Sequence, residues 1–284
     1  MIQYLSACEL AHHFPSEIAQ FLELEHRVRG RRFREESVTD LLLAALAKLP
    51  GLPLELRTPP ESTTGSDLDI ILVDLAARTR VGYRIQAKRL SADKVNWDRN
   101  SYGELAHQKN TGSQYAELIK PTNLKTGTLT LTPLYAFYNP ASICAKSGGA
   151  IAGIELCGAS TVGDAIADIL VKQASKGASQ ARQLRKLRHG FFPLSTLFCP
   201  PPPSGGGQRR PIATPSESAA QVAAALSRGL TTDGASRTGL PDATQMSDAE
   251  VRRYALLRNI QRDDPEPVAD QAIDTVQIVL DATP

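Results

Sequence analysis

Two aliphatic segments separated by a short polar turn constrain the fold of this chain more than any other feature. Residues 68–75 are rich in Leu, Ile and Val, and residues 81–89 form a second such segment after the polar stretch 76–79. Aliphatic and β-branched runs of this length, bounded by turn residues, predict buried strands. The sequence therefore predicts a β-hairpin.

The segments around the hairpin show helical and extended patterns in alternation. Helices are predicted within residues 1–30 and at 34–48, 102–119 and 162–187, and strands at 54–57, 129–138 and 151–156. This order predicts an α/β fold with a mixed central sheet flanked by helices.

A composition change near residue 200 predicts where the folded domain ends. We expect an α/β domain over residues 1–198, a Pro- and Gly-rich linker over 199–216, and a loosely ordered, partly helical tail over 217–284. Within the tail, Ser247 followed three residues later by Glu250 predicts a capping box at a helix start.

The apolar runs and the cysteines bear on the compartment. No apolar run approaches the roughly 20 residues that span a bilayer, and the N-terminus lacks a secretory pattern. We therefore expect a cytoplasmic protein without a membrane segment. The cysteines show no C-x-x-C pair, which predicts neither a zinc site nor a disulfide framework. They are Cys8, Cys144, Cys157 and Cys199.

The formal charge of +2 is unevenly distributed along the chain. Residues 1–200 contain 24 basic and 19 acidic residues, whereas residues 208–284 contain eight Arg, no Lys and eleven acidic residues. The basic front portion is compatible with a polyanionic ligand such as nucleic acid.

Paired polar residues lie on each strand of the predicted hairpin. Asp67 and Asp69 alternate at the start of the first strand, so both side chains leave the same face. Gln86 and Lys88 repeat this spacing on the second strand, and the hairpin brings the two pairs side by side. A Glu at the start of the preceding helix, Glu35 or Glu36, can complete the cluster.

These residue types suit the hydrolysis of phosphodiester bonds. Such a reaction needs a hard cation, held by oxygen ligands, that activates water and neutralises charge on the phosphate. Asp67, Asp69 and the side-chain oxygen of Gln86 are candidate ligands for Mg²⁺ or Mn²⁺. Lys88 offers a positive charge near the attacking water or the scissile phosphate.

The order of these residues resembles the PD-(D/E)xK, or restriction-endonuclease-like, nuclease superfamily in its Q-x-K form. The motifs EESVTD, TGSD, IQAKRL and PLYAFYN, with Gln114, resemble more closely an uncharacterised family of bacterial nuclease-like proteins over about residues 30–165. The resemblance implies a restriction-endonuclease-like core and metal-dependent nuclease chemistry. It supplies no substrate.

Two assignments stay open within this resemblance. The usual superfamily pattern favours Asp69, whereas the T-G-x-D motif favours Asp67. The family likeness favours Glu36 as the catalytic helix residue, whereas the helical phase against Val38 places Glu35 nearer the core.

Two other functions fit the same residues. The Asp67 and Asp69 pair also resembles the paired-Asp strand of minimal nucleotidyltransferases, although the Gly-Ser turn that precedes the pair in that family is missing here. A catalytically silent nuclease fold could instead serve as a DNA- or protein-binding module.

Clustered basic residues predict contacts to nucleic acid, with DNA favoured over RNA. Five Arg fall within residues 27–34, and a later cluster at residues 182–188 is a second candidate. The predicted nucleic-acid-binding residues are Arg27, Arg29, Arg31, Arg32, Arg34 and Arg89. A role in defence against foreign DNA, with a homodimer or a defence-system partner protein, is inferred by analogy with such folds.

Overall fold

The computed structural model describes residues 4–28, 33–49, 54–75, 78–106, 108–109, 112–120, 129–171, 180–199 and 244–252. Within these residues, eight strands form one sheet whose main order is β1-β2-β3-β7-β8-β9, and β4 and β10 also pair with β3. The β3–β7 pairing is parallel and the other pairings in this sheet are antiparallel. Helices flank this mixed sheet, as the sequence predicts.

The strands and helices have the following bounds. The strands are β1 Leu54–Arg57, β2 Leu68–Asp74, β3 Thr79–Ser91, β4 Ser101–Tyr102, β5 Gln108–Lys109, β6 Gly112–Ser113, β7 Leu131–Tyr138, β8 Ile154–Gly158, β9 Phe191–Pro193 and β10 Thr244–Gln245. The main helices are α1 Ala7–Glu23, α2 Glu35–Ala47, α3 Glu61–Thr64, α4 Gln114–Leu118, α5 Ala141–Lys146 and α6 Ala159–Val171. Short helices also span Leu184–Leu187 and Ser195–Phe198. Across the described ranges, no helix combines the length and apolar character needed to cross a membrane.

The predicted β2–β3 hairpin is confirmed, and its register fixes which side chains face each other. Leu68 pairs with Ile85 and Asp69 with Arg84. Side chains alternate between the two faces of the sheet. Leu68, Ile70 and Leu72 join one core cluster, whereas Ile71 and Val73 join another.

Helices α1 and α2 cover the first face of the sheet. Their apolar side chains, such as Leu10, Ile18, Val38 and Leu42, pack with β2, β3 and β7 in the largest core cluster. The second face is covered by α6 and the short helix Leu184–Leu187, which pack against side chains of β3 and β7. The site residues described below lie at one end of these layers.

The predicted helix at 102–119 is wrong over most of its length. Tyr102 lies in β4, and residues 108–109 and 112–113 pair as β5 and β6. Among the described residues of this range, only Gln114–Leu118 is helical. Glu104 adopts a left-handed backbone with φ of 51° just after Gly103, which stops a right-handed helix there. Helix α4 begins instead where the Ser113 hydroxyl accepts a hydrogen bond from the Ala116 N–H.

The described part of the C-terminal region, residues 244–252, packs on the sheet. Strand β10 pairs with Thr79 and Arg80 of β3, and the Met246 side chain is 4% exposed. The Arg80 guanidinium lies 2.6 Å from a Glu250 carboxylate oxygen. The capping box of Ser247 and Glu250 is confirmed by reciprocal hydrogen bonds. The rest of the tail, and the linker after Cys199, lie outside the described residues.

A disulfide joins Cys8 to Cys199, so the prediction that the cysteines are not disulfide-bonded is wrong for these two residues. Helix α1 packs beside the short helix Ser195–Phe198, and this brings the two Cα atoms to 4.6 Å. A separation of 191 residues hides this proximity from any spacing pattern. Cys144 and Cys157 are free thiols.

Candidate active site

Asp67 meets Gln86 where β2 begins and β3 approaches its end. One Asp67 carboxylate oxygen accepts hydrogen bonds from Gln86 Nε2 at 2.6 Å and from the Ala87 N–H at 2.7 Å. The Asp67 N–H in turn donates to the Ile85 carbonyl at 3.0 Å. The antiparallel register of the hairpin therefore places Asp67 directly opposite Gln86.

Lys88 extends this cluster to helix α2. Its side chain is 2% exposed, and its Nζ lies 3.5 Å from Glu35 Oε2. The other Glu35 oxygen accepts a hydrogen bond from the Arg89 N–H at 2.9 Å. Glu35 is the first residue of α2, so the start of this helix holds a carboxylate against the end of β3.

The side-chain oxygen of Gln86 lacks a partner within the described residues. Gln86 Nε2 donates to Asp67 and to the Ala87 carbonyl, which leaves Oε1 buried without a hydrogen bond. An unsatisfied buried polar atom costs about 1–3 kcal/mol. This oxygen is therefore suited to an external ligand, and amide and carboxylate oxygens are ligands that Mg²⁺ accepts.

Burial raises the pKa values of both site carboxylates. The pKa of Asp67 is raised to about 6, mainly by desolvation, with the Glu61 and Glu35 charges adding to the rise and the Ala87 N–H and Lys88 opposing it. Desolvation also raises the pKa of Glu35, against the opposing effect of Lys88. Several carboxylates around one lysine form a site that a bound cation would stabilise.

Gly65 allows the loop before Asp67 to lie against α4. Its φ is +66°, and an added Cβ would lie 2.2 Å from the Gln114 carbonyl oxygen. Only glycine adopts this conformation and this close approach without strain. The T-G-S-D motif therefore has a structural reason for its glycine.

Three further residues border the site and were not predicted as part of it. The Gln114 amide donates to a Glu61 carboxylate oxygen, and Gln114 Oε1 is buried without a partner among the described residues. Tyr135 lies beside Gln86 in the β3–β7 register, and its hydroxyl is also buried and unpartnered there. The alternation along β7 could have identified Tyr135, whereas the contact between Glu61 and Gln114 depends on tertiary packing.

Asp69 projects from the same face as Asp67 but is bonded elsewhere. Its two carboxylate oxygens accept from Arg84 Nε at 3.0 Å and from an Arg84 terminal nitrogen at 2.8 Å, with both side chains buried. Glu36 is exposed, whereas Glu35 contacts Lys88. The structure thus brings together Glu35, Asp67, Gln86 and Lys88, and does not bring Asp69 or Glu36 into this group.

The predicted nucleic-acid-binding arginines fall into three groups. Arg27 and Arg34 are exposed. Arg89 is held by Glu25 and by the Phe33 carbonyl, so its guanidinium braces the segment before α2. Arg29, Arg31 and Arg32 lie outside the described residues.

One family model matches nearly the whole chain. This model, described as a family of unknown function and designated DUF6615, matches residues 7–279. The chain belongs to the DUF6615 family. Comparisons with curated proteins and with solved structures found no match. The DUF6615 match spans both the site residues and the C-terminal segment that pairs with β3.

The site of this DUF6615 chain combines three chemical capabilities. Asp67 and Gln86 present oxygen atoms that fit a hard divalent cation. Lys88 provides a fixed positive charge in a water-poor position, where electrostatic interactions are strong. Glu35, whose pKa is raised by burial, lies beside Lys88 as a candidate proton acceptor.

Proposed function

We propose that this chain is a metal-dependent nuclease that hydrolyses phosphodiester bonds of DNA. The observation that carries the proposal is the unpartnered Oε1 of Gln86, which lies beside the Asp67 carboxylate and two residues before the buried Lys88. An amide oxygen, a carboxylate and a lysine in this arrangement fit the Q-x-K form of the restriction-endonuclease-like site.

Each side chain has a distinct role in the proposed reaction. Asp67 and Gln86 would hold Mg²⁺ or Mn²⁺, which would supply activation of water and neutralisation of charge on the phosphate. Lys88 stabilises the negative charge that grows on the phosphate oxygens in the transition state. Glu35 positions Lys88 and accepts the proton that water loses as its oxygen bonds to phosphorus. The P–O bond to the leaving oxygen breaks, and that oxygen takes a proton from solvent.

The wider biological setting is part of the same proposal. A polyanionic substrate agrees with the excess of basic residues before residue 200. We propose a cytoplasmic role in defence against foreign DNA, alone as a homodimer or with a partner protein.

The nucleotidyltransferase alternative loses support from the Asp69 contacts. That chemistry needs Asp67 and Asp69 to hold metal ions together, yet both Asp69 oxygens are bonded to Arg84. The silent binding module keeps one supporting observation, because one Asp67 carboxylate oxygen already accepts hydrogen bonds from the Gln86 amide and the Ala87 N–H.

A cleavage assay tests the proposal. The purified chain is incubated with plasmid, linear DNA and RNA, in Mg²⁺, in Mn²⁺ and in EDTA. We expect cleavage of DNA only with metal, and a loss of roughly 100-fold or more for Lys88→Ala and for Asp67→Asn. Lys48→Ala, at the exposed far end of α2, is the matched control and should retain activity.

Two results would overturn the proposal. The first is an absence of metal-dependent cleavage on every substrate, with thermal melting confirming that the protein is folded; this result favours the binding module. The second is near-normal cleavage by both site variants.

A further inference from the structure

Two segments of the chain that carry basic side chains are joined beside the end of β3. The Tyr102 N–H donates to the Arg182 carbonyl at 3.1 Å, and the Leu184 N–H donates to the Asn100 carbonyl at 2.9 Å. The Arg188 guanidinium lies 5.3 Å from the centre of the Trp97 ring. We refer to Arg99, Arg182, Arg185, Lys186 and Arg188 as the basic ridge.

The charges of the basic ridge are not neutralised by carboxylates of the described residues. In the described part of the chain, Arg57, Arg78, Arg80, Arg84 and Arg89 each contact a carboxylate. None of the five basic-ridge side chains has such a contact within those same ranges. The Nε atoms of Arg182 and Arg185 are buried and have no hydrogen-bond partner there. Uncompensated positive charge of this density calls for an anionic ligand.

Carboxylates lie around the basic ridge, but none in the described part of the chain forms an ion pair with it. The neighbouring loop carries Asp93 and Asp98, and Asp93 pairs with Lys94 at 2.9 Å. Helix α6, which packs beside Leu184 and Leu187, adds the exposed Asp164 and Asp168. The five basic-ridge cations and Lys94 outnumber these four carboxylates.

The basic ridge lies on the same face of the sheet as the candidate active site. Leu184 and Leu187, between the basic-ridge residues, pack in one cluster with Leu90, Tyr135 and Phe137. Alternation along β3 places Gln86, Lys88 and Leu90 on that face. β4 pairs with Leu90 and Ser91, two and three residues after Lys88 on β3, and the segment that carries Arg182 is hydrogen-bonded to β4 in turn.

The backbone beneath the basic ridge is held in place by Asn100. This fully buried side chain accepts from the Lys94 N–H at 2.7 Å and donates to the Trp97 carbonyl at 3.0 Å. The Trp97 loop is thereby fixed before any ligand binds. A prearranged surface reduces the entropy cost of binding.

We infer that the basic ridge binds the phosphate backbone of the nucleic acid whose bond lies at the Asp67 and Lys88 site. The inference rests on the proposed function for the position of the cleaved bond. It assigns substrate positioning to the segment 182–188, in place of the predicted cluster at residues 27–34. Phosphate contacts of this kind position the protein on the nucleic acid but do not distinguish between base sequences.

The test is a salt titration of DNA binding. Binding is measured by the fluorescence anisotropy of a labelled 20-base-pair duplex, in Ca²⁺ and in EDTA. Lys186→Gln/Arg188→Gln removes two exposed basic-ridge charges. We expect the log–log salt slope to fall by roughly 1.8 and the Kd at 0.1 M salt to rise about tenfold or more. Lys186→Arg/Arg188→Lys keeps both charges and should bind nearly as wild type.

A charge-matched control lies on other parts of the surface. Lys48→Gln/Arg252→Gln also removes two exposed charges, and its slope should stay close to that of wild type. An unchanged slope in the basic-ridge variant, an equal loss in the control, or no DNA binding by wild type would each overturn the inference. Thermal melts of all variants exclude unfolding as the cause.

The failure of this inference is distinguishable from the failure of the proposed function. If the chain binds DNA through the basic ridge but does not cleave it, the DNA-binding role is supported and the proposed nuclease function is contradicted. If the chain cleaves DNA but the basic-ridge variant has an unchanged salt slope, the nuclease function is supported and the DNA-binding role of the basic ridge is contradicted.

Discussion

Asp67 and Asp69 stand two residues apart on one face of the sheet, yet they meet different partners. Asp67 lies opposite Gln86, an amide with a spare oxygen, whereas Asp69 lies opposite Arg84. The two-residue spacing identifies both aspartates as candidates, because it places both side chains on the same face of the sheet. The spacing does not show which one belongs to the active site, because that depends on which β3 residue lies opposite each aspartate.

We predict that Asp69→Asn destabilises the fold, whereas Asp67→Asn does not. Asp69 is 1% exposed and its loss leaves the buried Arg84 without this carboxylate, which costs about 3–5 kcal/mol for a buried ion pair. Urea denaturation of the two variants measures the difference. Equal free energies of unfolding would contradict the structural role of Asp69.

The raised pKa of Asp67 makes metal binding depend on pH. The ionised carboxylate binds the cation, so with a pKa of about 6 the affinity for Mn²⁺ should be constant above pH 7. Below pH 6 it should fall by about tenfold per pH unit. Calorimetric titration with Mn²⁺ between pH 5 and 8 measures this, and the Asp67→Asn variant should show weak binding without that dependence.

The same shift has a consequence for stability without metal. The folded pKa of about 6 lies above the ordinary value of 3.8, so the folded chain holds this proton more tightly than the unfolded chain. Between about pH 4 and 6 the wild type therefore loses stability relative to Asp67→Asn as pH rises. A difference of the opposite sign in EDTA would contradict the burial of this carboxylate.

At the level of elements, the segments with strong periodicity were predicted correctly and the region 102–119 was not. Helix α2 and the β2–β3 hairpin carry their own apolar patterns, so local sequence suffices for them. In 102–119, the polar backbone of Tyr102 pairs with Leu90 of β3, a contact that no local pattern contains. The site depends on both kinds of information. The sequence pattern identifies Gln86, Lys88 and the pair Glu35 and Glu36, whereas the choice of Glu35 depends on its contact with Lys88.

Strand β10 and the residues after it form an element whose docking can be tested. Met246 is 4% exposed and packs with Ile71, Val73, Leu129 and Leu131. We expect Met246→Ala to cost about 2 kcal/mol or more, as for other buried large-to-small changes. Gln245→Ala, at an exposed position of the same strand, is the matched control. Thermal and urea unfolding measure both, and equal stability of Met246→Ala and wild type would show that the segment does not dock.

For the whole molecule, the sequence predicted the sheet and the helices that flank it, but not two contacts between distant parts of the chain. The alternation of helices and strands indicated a mixed α/β sheet. The Cys8–Cys199 bond and the β10–β3 pairing join residues 191 and about 165 positions apart. Amino-acid composition gives no information about contacts between such distant residues. The proline-rich run near residue 200 predicted a domain boundary, and strand β10, which follows this run, pairs with β3, which precedes it.

The β10–β3 pairing also sets an order of events during synthesis. Strand β3 leaves the ribosome long before residues 244–252 are made, since translation adds about 5–20 residues per second. For that interval the apolar surface of Ile71, Val73 and Leu131 has no Met246 to cover it. A nascent chain stalled inside the 200–243 segment would expose this surface, so chaperone contact with stalled chains should end only when the last forty residues begin to emerge.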